Sequence, residues 1–253
     1  MGKRGRFAKV SDITMIRTPL IVIWVVLVTI YFSISAIIVS FMTKSSDMPN
    51  KVAAIWARFI LSASCIKVEV IGLSNIDPSR SYIYMSNHQG NFDIPILQAY
   101  LPVQFRWLAK AELFNTPIFG YAMGRAGHIS IDRSNRKSAF KSLSNAARII
   151  RNGVSVLIFP EGTRSSDGNI RHFKKGGFIL AVDSGVPIVP VIIHGLWSLM
   201  LKNRVLVRPG NVLLEIKEPI ESAEYTRKTK DDLLKKVRQV ICESFYNRKK
   251  EQL

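Results

Sequence analysis

Apolar and polar positions divide the chain into two unlike parts. From Leu20 to Met42 there are 23 residues without a formal charge, a run that as a helix would be about 34 Å long against a bilayer hydrocarbon core of about 30 Å. A turn-like stretch, Ser45 to Asn50, precedes a second apolar segment, Val52 to Cys65, interrupted only by Arg58. This pattern predicts two helices in a hairpin. From Lys67 onward the period changes. Short β-branched or aromatic runs (KVEVIGL, SYIYMSN, FRWLAK, HISID, VSVLIFPEG, VPIVPVII, VLV and VLLEIKE) alternate with helical patterns. Such alternation predicts an α/β fold with a largely parallel or mixed central sheet flanked by helices. Between Ser134 and Gly153, the residues Ala139, Phe140, Leu143, Ala146, Ala147 and Ile150 fall on one helical face, with Ser134 or Asn135 as N-cap. Leu233, Leu234, Val237, Val240, Ile241 and Phe245 repeat at helical spacing and predict a closing helix. The expected organisation is an N-terminal membrane-associating hairpin over 1–65 and an α/β domain over 66–253.

Charge narrows the partners. The 253 residues carry 36 Lys and Arg against 18 Asp and Glu, a net charge of +18, while 47% of them are hydrophobic. High hydrophobicity excludes general disorder, and strong basicity points to anionic partners: nucleic acid, an acidic membrane surface, an acidic carrier protein or a phosphorylated substrate. Two cysteines, Cys65 and Cys242, with no CxxC pair, exclude a disulfide scaffold and a cysteine-based zinc site and suit a reducing compartment. Both flanks of the apolar run are basic, net +4 before it and +2 after it, so the positive-inside rule does not favour a single crossing. A monotopic hairpin with both ends cytoplasmic is the expectation. Residues 125–151 hold a further +6, with Lys137, Lys141, Arg148 and Arg151 on one helix face. That face is expected to meet anionic headgroups, with an acidic carrier or coenzyme A phosphates as additional partners.

Candidate chemistry begins where the strand SYIYMS runs into Asn87-His88-Gln89-Gly90-Asn91-Phe92-Asp93-Ile94-Pro95. On a continuous helix His88 and Asp93 would diverge by about 140°; a strand-turn-helix path lets Asp93 reach one ring nitrogen. A carboxylate there fixes the tautomer and makes the other nitrogen a better general base. A solvated His with a helix-capping Asp, or part of a metal site, are the alternatives. With no Gly-x-Ser-x-Gly sequence, a base that activates a substrate alcohol without a protein nucleophile is the simpler scheme. A second constellation follows the buried-strand pattern VSVLIF. Gly162 permits close backbone approach, Thr163 supplies a hydroxyl and Arg164 a planar fork for phosphate, while Glu161 can hold Arg164 or a backbone amide in place. Lys110, Arg133 and the pair Lys174 and Lys175 are further substrate-binding candidates. His128, which alternates with Ile129 and Ile131 on a strand, and His172 and His194, which lack an obvious acidic partner in sequence, read as structural.

Four ordered blocks carry a family resemblance: Asn87 to Asp93, Gly127-His128-Ile129-Ser130-Ile131-Asp132-Arg133, Phe159-Pro160-Glu161-Gly162-Thr163-Arg164-Ser165, and Val186-Pro187-Ile188-Val189-Pro190-Val191. Over about Ile66 to Glu218 the chain resembles the glycerolipid acyltransferases with the His-x4-Asp motif, closely the 1-acylglycerol-3-phosphate (lysophosphatidate) acyltransferases. The one departure is Gly90, where many relatives carry Ser or another polar residue. The resemblance implies that His88 is the general base, that Asp93 orients it, and that the Glu-Gly-Thr-Arg block binds the phosphate-bearing acceptor. It further implies acyl transfer from an acyl-CoA or acyl carrier protein thioester to lysophosphatidic acid, giving phosphatidic acid in phospholipid biosynthesis. No cofactor, metal or nucleic acid is expected, and the expected place is the cytoplasmic face of a bacterial inner membrane. The alternatives are another acceptor (a different lysophospholipid, a lyso-aminolipid or glycerol 3-phosphate), a non-catalytic basic membrane-binding protein, or a metal hydrolase.

Overall fold

The structure, a computed structural model, describes residues 12–43, 45–132, 135–199 and 207–251. Lys3, Arg4, Arg6, Lys9, Lys44 and the candidate Arg133 lie outside the described residues.

The apolar N-terminus forms helix α1 (Asp12–Met42) and helix α2 (Asp47–Ser64). The connection is shorter than the turn chemistry of Ser45 to Asn50 predicts, because helix α2 already begins at Asp47. Pro49 sits in its first turn, where a missing N–H costs nothing. The helix ends at Cys65, which takes the left-handed conformation and donates its N–H to the Ser62 carbonyl, 3.0 Å away.

Seven of the eight strand-like runs become strands: β1 (Ile66–Ile71), β2 (Ile83–Ser86), β3 (Phe105–Lys110), β4 (Ile129–Ile131), β5 (Ser155–Ile158), β6 (Ile188–His194) and β7 (Gly210–Ile216). Of the eighth, VLV, Val205 and Leu206 lie outside the described residues and Val207 is not in a strand. Among the described residues the strands form one sheet in the order β1-β7-β6-β2-β5-β3-β4, parallel throughout except between β6 and β7. The expected largely parallel or mixed α/β sheet is therefore present. Its connections run through α3 (Asp93–Tyr100), the short α4 (Ala111–Phe114), α5 (Phe119–Arg125), α6 (Arg136–Arg151), α7 (Gly176–Ser184), the short α8 (Leu196–Leu199) and α9 (Lys230–Glu251).

Strand alternation sends side chains to two cores. Tyr82, Tyr84, Phe105, Trp107, Leu157, Val189 and Val191 join Ile21, Val28, Ala57, Ile60, Leu61, Ile96 and Leu97 of α1, α2 and α3 on one face. Ile83, Met85, Val156, Ile158 and Ile192 join Ala146, Ala147, Ile150, Phe178, Leu233, Val237 and Ile241 of α6, α7 and α9 on the other. The N-terminal hairpin is bonded to this body. Buried Arg106 of β3 donates to Asp47 Oδ1 (2.6 Å) and Ser46 Oγ (3.0 Å), and Asn50 Nδ2 donates to the Phe105 carbonyl at 2.9 Å.

Two expectations change here. Phe140 was assigned to the apolar face of α6 but is exposed, its ring covered by the Arg227 guanidinium 5.3 Å away; Asn135 is the N-cap, accepting from Lys137 N–H at 2.8 Å. The basic face of α6 lies across the sheet from α1 and α2, so it is not beside the apolar hairpin as a shared headgroup contact requires.

Candidate active site

The ends of three neighbouring strands, β2, β5 and β3, supply the candidate residues, in keeping with the rule that ligands of open α/β sheets gather at carboxyl ends. Strand β2 stops at Ser86, and Asn87 replaces the next rungs of the ladder. Its side chain accepts from Ile193 N–H (2.8 Å) and donates to the Ile193 carbonyl (3.0 Å). The chain then turns and enters α3 with Asp93 in its first turn. This path brings His88 Nδ1 to 2.6 Å from Asp93 Oδ2, and the same oxygen accepts from the backbone N–H groups of Gln89 (2.6 Å) and Gly90 (2.9 Å). A carboxylate at Nδ1 keeps the ring proton there and leaves Nε2 with its lone pair. Complete burial pushes the Asp93 carboxyl above its ordinary value, opposed by the His88 contact and the Gly90 and Gln89 amides. The His88 ring is held flat against Phe159, centroids 3.9 Å apart and planes within 8°, and its side chain is 15% exposed.

The Phe159-to-Ser165 loop grips His88 from both sides. Glu161 Oε1 accepts from His88 N–H at 2.8 Å, and Ser165 N–H donates to the His88 carbonyl at 2.8 Å. Glu161 Oε2 accepts from Arg171 N–H, also at 2.8 Å. Glu161 is thus buried and bonded to two backbone amides, the amide-holding alternative of the sequence reading; burial raises its carboxyl, opposed by the Arg171 and His88 amides. Gly162 takes φ +70°, and a side chain there would strike Lys174, whose Cδ and Cε lie 2.9 Å from the position of a Cβ. Lys174 therefore lies across the phosphate-loop candidate, whereas Lys175 turns away to Asp231 (2.8 Å). Arg164 donates to Asn91 Oδ1; Thr163 is exposed. Lys110, at the end of β3, is exposed and paired with Glu112 at 2.7 Å.

His88, Lys110, Phe159 and Gly162 stand at one part of the lining of a cavity of about 250 Å³. The rest is almost wholly apolar: Phe32 and Ala36 of α1, Ala53 and Trp56 of α2, Trp107 of β3, and Leu113, Phe119 and Met123 around α4 and α5. Sequence patterns read the hairpin only as a membrane device and gave no signal that it walls a cavity. They also missed Asn87, Asn91 and Phe159 as parts that hold the site, since each acts on a partner distant in sequence. His128 lines the same cavity. Burial, aided by Arg106, pushes its pKa down to about 3, and its Nδ1 accepts from Trp107 N–H at 3.2 Å. It is a neutral structural imidazole, as expected. His194, read as lacking an acidic partner, has one: its Nε2 lies 2.9 Å from Glu215 Oε2 on the antiparallel neighbour β7.

A mostly parallel α/β sheet thus sets a carboxylate-oriented imidazole, with Lys110 beside it, in the lining of a largely apolar cavity. Residues 67–194 match the family model described as Acyltransferase, and the chain belongs to that family. It is 35% identical over 185 residues to a 1-acyl-sn-glycerol-3-phosphate acyltransferase of Chlamydomonas reinhardtii, a match covering 72% of this chain and 54% of the relative. It is 33% identical over 195 residues to a chloroplast 1-acyl-sn-glycerol-3-phosphate acyltransferase of Arabidopsis thaliana, covering 76% and 53%. The chain thus spans about half the length of these curated relatives. The crystal structure of the 1-acyl-sn-glycerophosphate acyltransferase PlsC of Thermotoga maritima superposes with a TM-score of 0.78 at 26% identity, over 92% of this chain and 96% of that one.

Proposed function

We propose that the protein transfers a fatty acyl group from a thioester, on coenzyme A or acyl carrier protein, to the free hydroxyl of 1-acylglycerol 3-phosphate, forming phosphatidic acid. The observation that carries this reading is the 2.6 Å contact between Asp93 and Nδ1 of His88, which lines a largely apolar cavity. His88 Nε2 takes the hydroxyl proton as the acceptor oxygen attacks the thioester carbonyl. The tetrahedral intermediate collapses with cleavage of the carbon–sulfur bond, and the proton on Nε2 goes to the departing sulfur. Buried Asp93 stabilises the imidazolium between these steps. The thioester is already activated, so the reaction as written needs neither metal nor redox cofactor. Base catalysis typically contributes about 10²- to 10⁴-fold, whereas holding two substrates in attack geometry can supply roughly 7–11 kcal/mol, so positioning is the larger effect. Arg164 and Lys174 hold the acceptor phosphate and the cavity takes an acyl chain.

The same reading places the protein at a membrane, with its active site on the cytoplasmic face of a bacterial inner membrane. Its support is the segment Arg17–Met42, 26 residues long, within which an 18-residue stretch has mean hydropathy 2.7 and is only 22% buried. The deciding experiment supplies purified protein with lysophosphatidic acid and either thioester. His88→Ala is expected to lower turnover by about 10²- to 10⁴-fold with its unfolding transition unchanged; an active His88→Ala protein sinks the mechanism.

A further inference from the structure

The segment between β3 and α5 combines backbone strain with an apolar tip. Ile118 has φ 62° and ψ −60°, and Phe119 N–H donates to the Pro117 carbonyl at 2.6 Å. This is a γ-turn of the positive-φ kind, rare and strained for any residue and most of all for a β-branched one. The turn is closed on itself and is not a loose loop. Thr116 N–H bonds to Leu113 O (3.2 Å), Gly120 N–H to Thr116 O (2.8 Å) and Ala122 N–H to Ile118 O (2.9 Å). Gly120 is required at its place, since a Cβ there would lie 2.2 Å from the Phe114 carbonyl oxygen. This rigid knuckle turns large apolar side chains outward: Leu113 is 41% exposed, Ile118 42% and Tyr121 53%. Strain and exposed apolar surface each disfavour the folded chain in water, and their coincidence marks a site where a function is served.

Its surroundings name the occupant. Helix α5 is docked on α1: Arg125 Nε donates to Ser40 Oγ at 2.8 Å, and its guanidinium lies 4.6 Å from the Phe41 ring centroid. Helix α5, which carries Tyr121, thus lies beside α1, on which Ile34, Ile38 and Phe41 are exposed. Leu113 also lines the cavity, as does Phe119, so the knuckle is at once a cavity wall and part of the outer surface. We propose that the knuckle Leu113–Tyr121 is a wedge that enters the bilayer beside α1, with Ile118 and Tyr121 in hydrocarbon, and that the acyl chain passes from the leaflet into the cavity along Leu113. The wedge itself stands apart from the acyl-transfer reading, on which only the passage of substrate rests.

Two measurements test it. In the full chain carrying Cys65→Ser and Cys242→Ala, nitroxides are attached at Ile118→Cys, Tyr121→Cys and, as a water-facing control, Lys137→Cys. The proteins are bound to vesicles of phosphatidylglycerol and phosphatidylcholine. Collisions at 118 and 121 should favour oxygen over a water-soluble nickel chelate, and those at 137 the reverse. Nickel access at 118 and 121 equal to that at 137, or protection that arises only when acyl carrier protein is added, overturns the wedge. Second, the double variant Ile118→Gly, Tyr121→Ser should lose about ten-fold in kcat/KM for a long-chain acceptor embedded in vesicles, with a short-chain acceptor in solution used within about two-fold of normal. Its unfolding midpoint should hold or rise, since glycine relieves the γ-turn. Equal loss on both acceptors, or on neither, overturns the entry route. If no acceptor is used by the unaltered protein, the acyl-transfer reading falls, while the nitroxide result still decides the wedge.

Discussion

Glu161 shows how a single side chain can matter to a site by holding its backbone. Its two oxygens each accept one backbone amide, from His88 and from Arg171. Gln has the same shape but only one accepting oxygen, so Glu161→Gln turns an NH₂ toward one of those amides and leaves a buried donor unpaired, at a cost of about 1–3 kcal/mol. Because one of these amides is that of His88 and the other anchors the same side chain, kcat should fall roughly ten- to hundred-fold while the KM for acceptor changes little. Calorimetry and steady-state kinetics together check both. Arg164 should behave in the opposite way. It stands at the loop's outer end against Asn91, and losing one charge-assisted phosphate contact worth about 1.5–3 kcal/mol should raise the acceptor KM in Arg164→Ala by about ten- to hundred-fold, with kcat nearly preserved. The His88 and Asp93 pair was legible in the sequence because both lie on one short path whose strand-turn-helix signals are local. The partners of Glu161 and Arg164 were not. His88 and Asn91 are each 73 positions from them in sequence, and such contacts follow from the parallel pairing of β2 with β5, which no local pattern encodes.

At the scale of elements the period change from helix to strand located both helices of the hairpin and seven strands, since burial on both faces writes continuous β-branched runs into parallel strands. Direction and order were not legible: β1 and β7, which run opposite to the other five strands, read like them, because side-chain alternation is the same either way. The antiparallel β6–β7 pairing creates a joint the sequence concealed. Glu215 of β7 accepts from Lys217 (2.6 Å), lies 2.9 Å from His194 of β6, and accepts the hydroxyl of Ser244 on α9. Burial raises the carboxyl, but the hydrogen bonds from Lys217, Ser244 and His194 prevail and bring it down to about 2. A carboxyl whose pKa lies below its unfolded value stabilises the fold at pH above that unfolded value and loses the contribution as pH falls through the folded one. Native protein should therefore lose urea stability between about pH 4.5 and about pH 2 in part through this group. Glu215→Gln should be less stable than native protein near pH 7 by about 1–3 kcal/mol, and the gap should narrow steadily as pH falls below about 4.5. A gap constant across that range would show that Glu215 does not hold α9 through its charge.

For the whole molecule, the sheet sorts the positive charge into two populations that the linear sequence could not separate. Lys137, Lys141, Arg148 and Arg151 are exposed on α6, on the sheet face opposite the hairpin. Lys51 and Arg58 are exposed on α2, spaced so that they share its outer face with exposed Ile55 and Phe59. Bases interleaved with apolar side chains on one face characterise a helix lying in the membrane interface. The exposed apolar row of α1 lies on the same side of the sheet. An apolar hairpin seated in one leaflet brings α2 to the headgroups and holds α6 a helix-sheet-helix thickness away, about 20 Å given layer spacings near 10 Å. The Debye length is only about 8 Å at physiological ionic strength, so charge on α6 is screened from that surface. Each base near an anionic leaflet contributes about 1 kcal/mol, and reversing both on α2 should lower the preference for anionic over zwitterionic vesicles at least ten-fold. The measurement is activity on lysophosphatidic acid presented in each vesicle type, with salt raised stepwise. Lys51→Glu with Arg58→Glu should abolish both the preference and its salt dependence. Neutralising the four bases of α6 should leave them within about two-fold of native. The reverse result would place the membrane on the α6 face of the sheet and would remove the bilayer from the mouth of the apolar cavity.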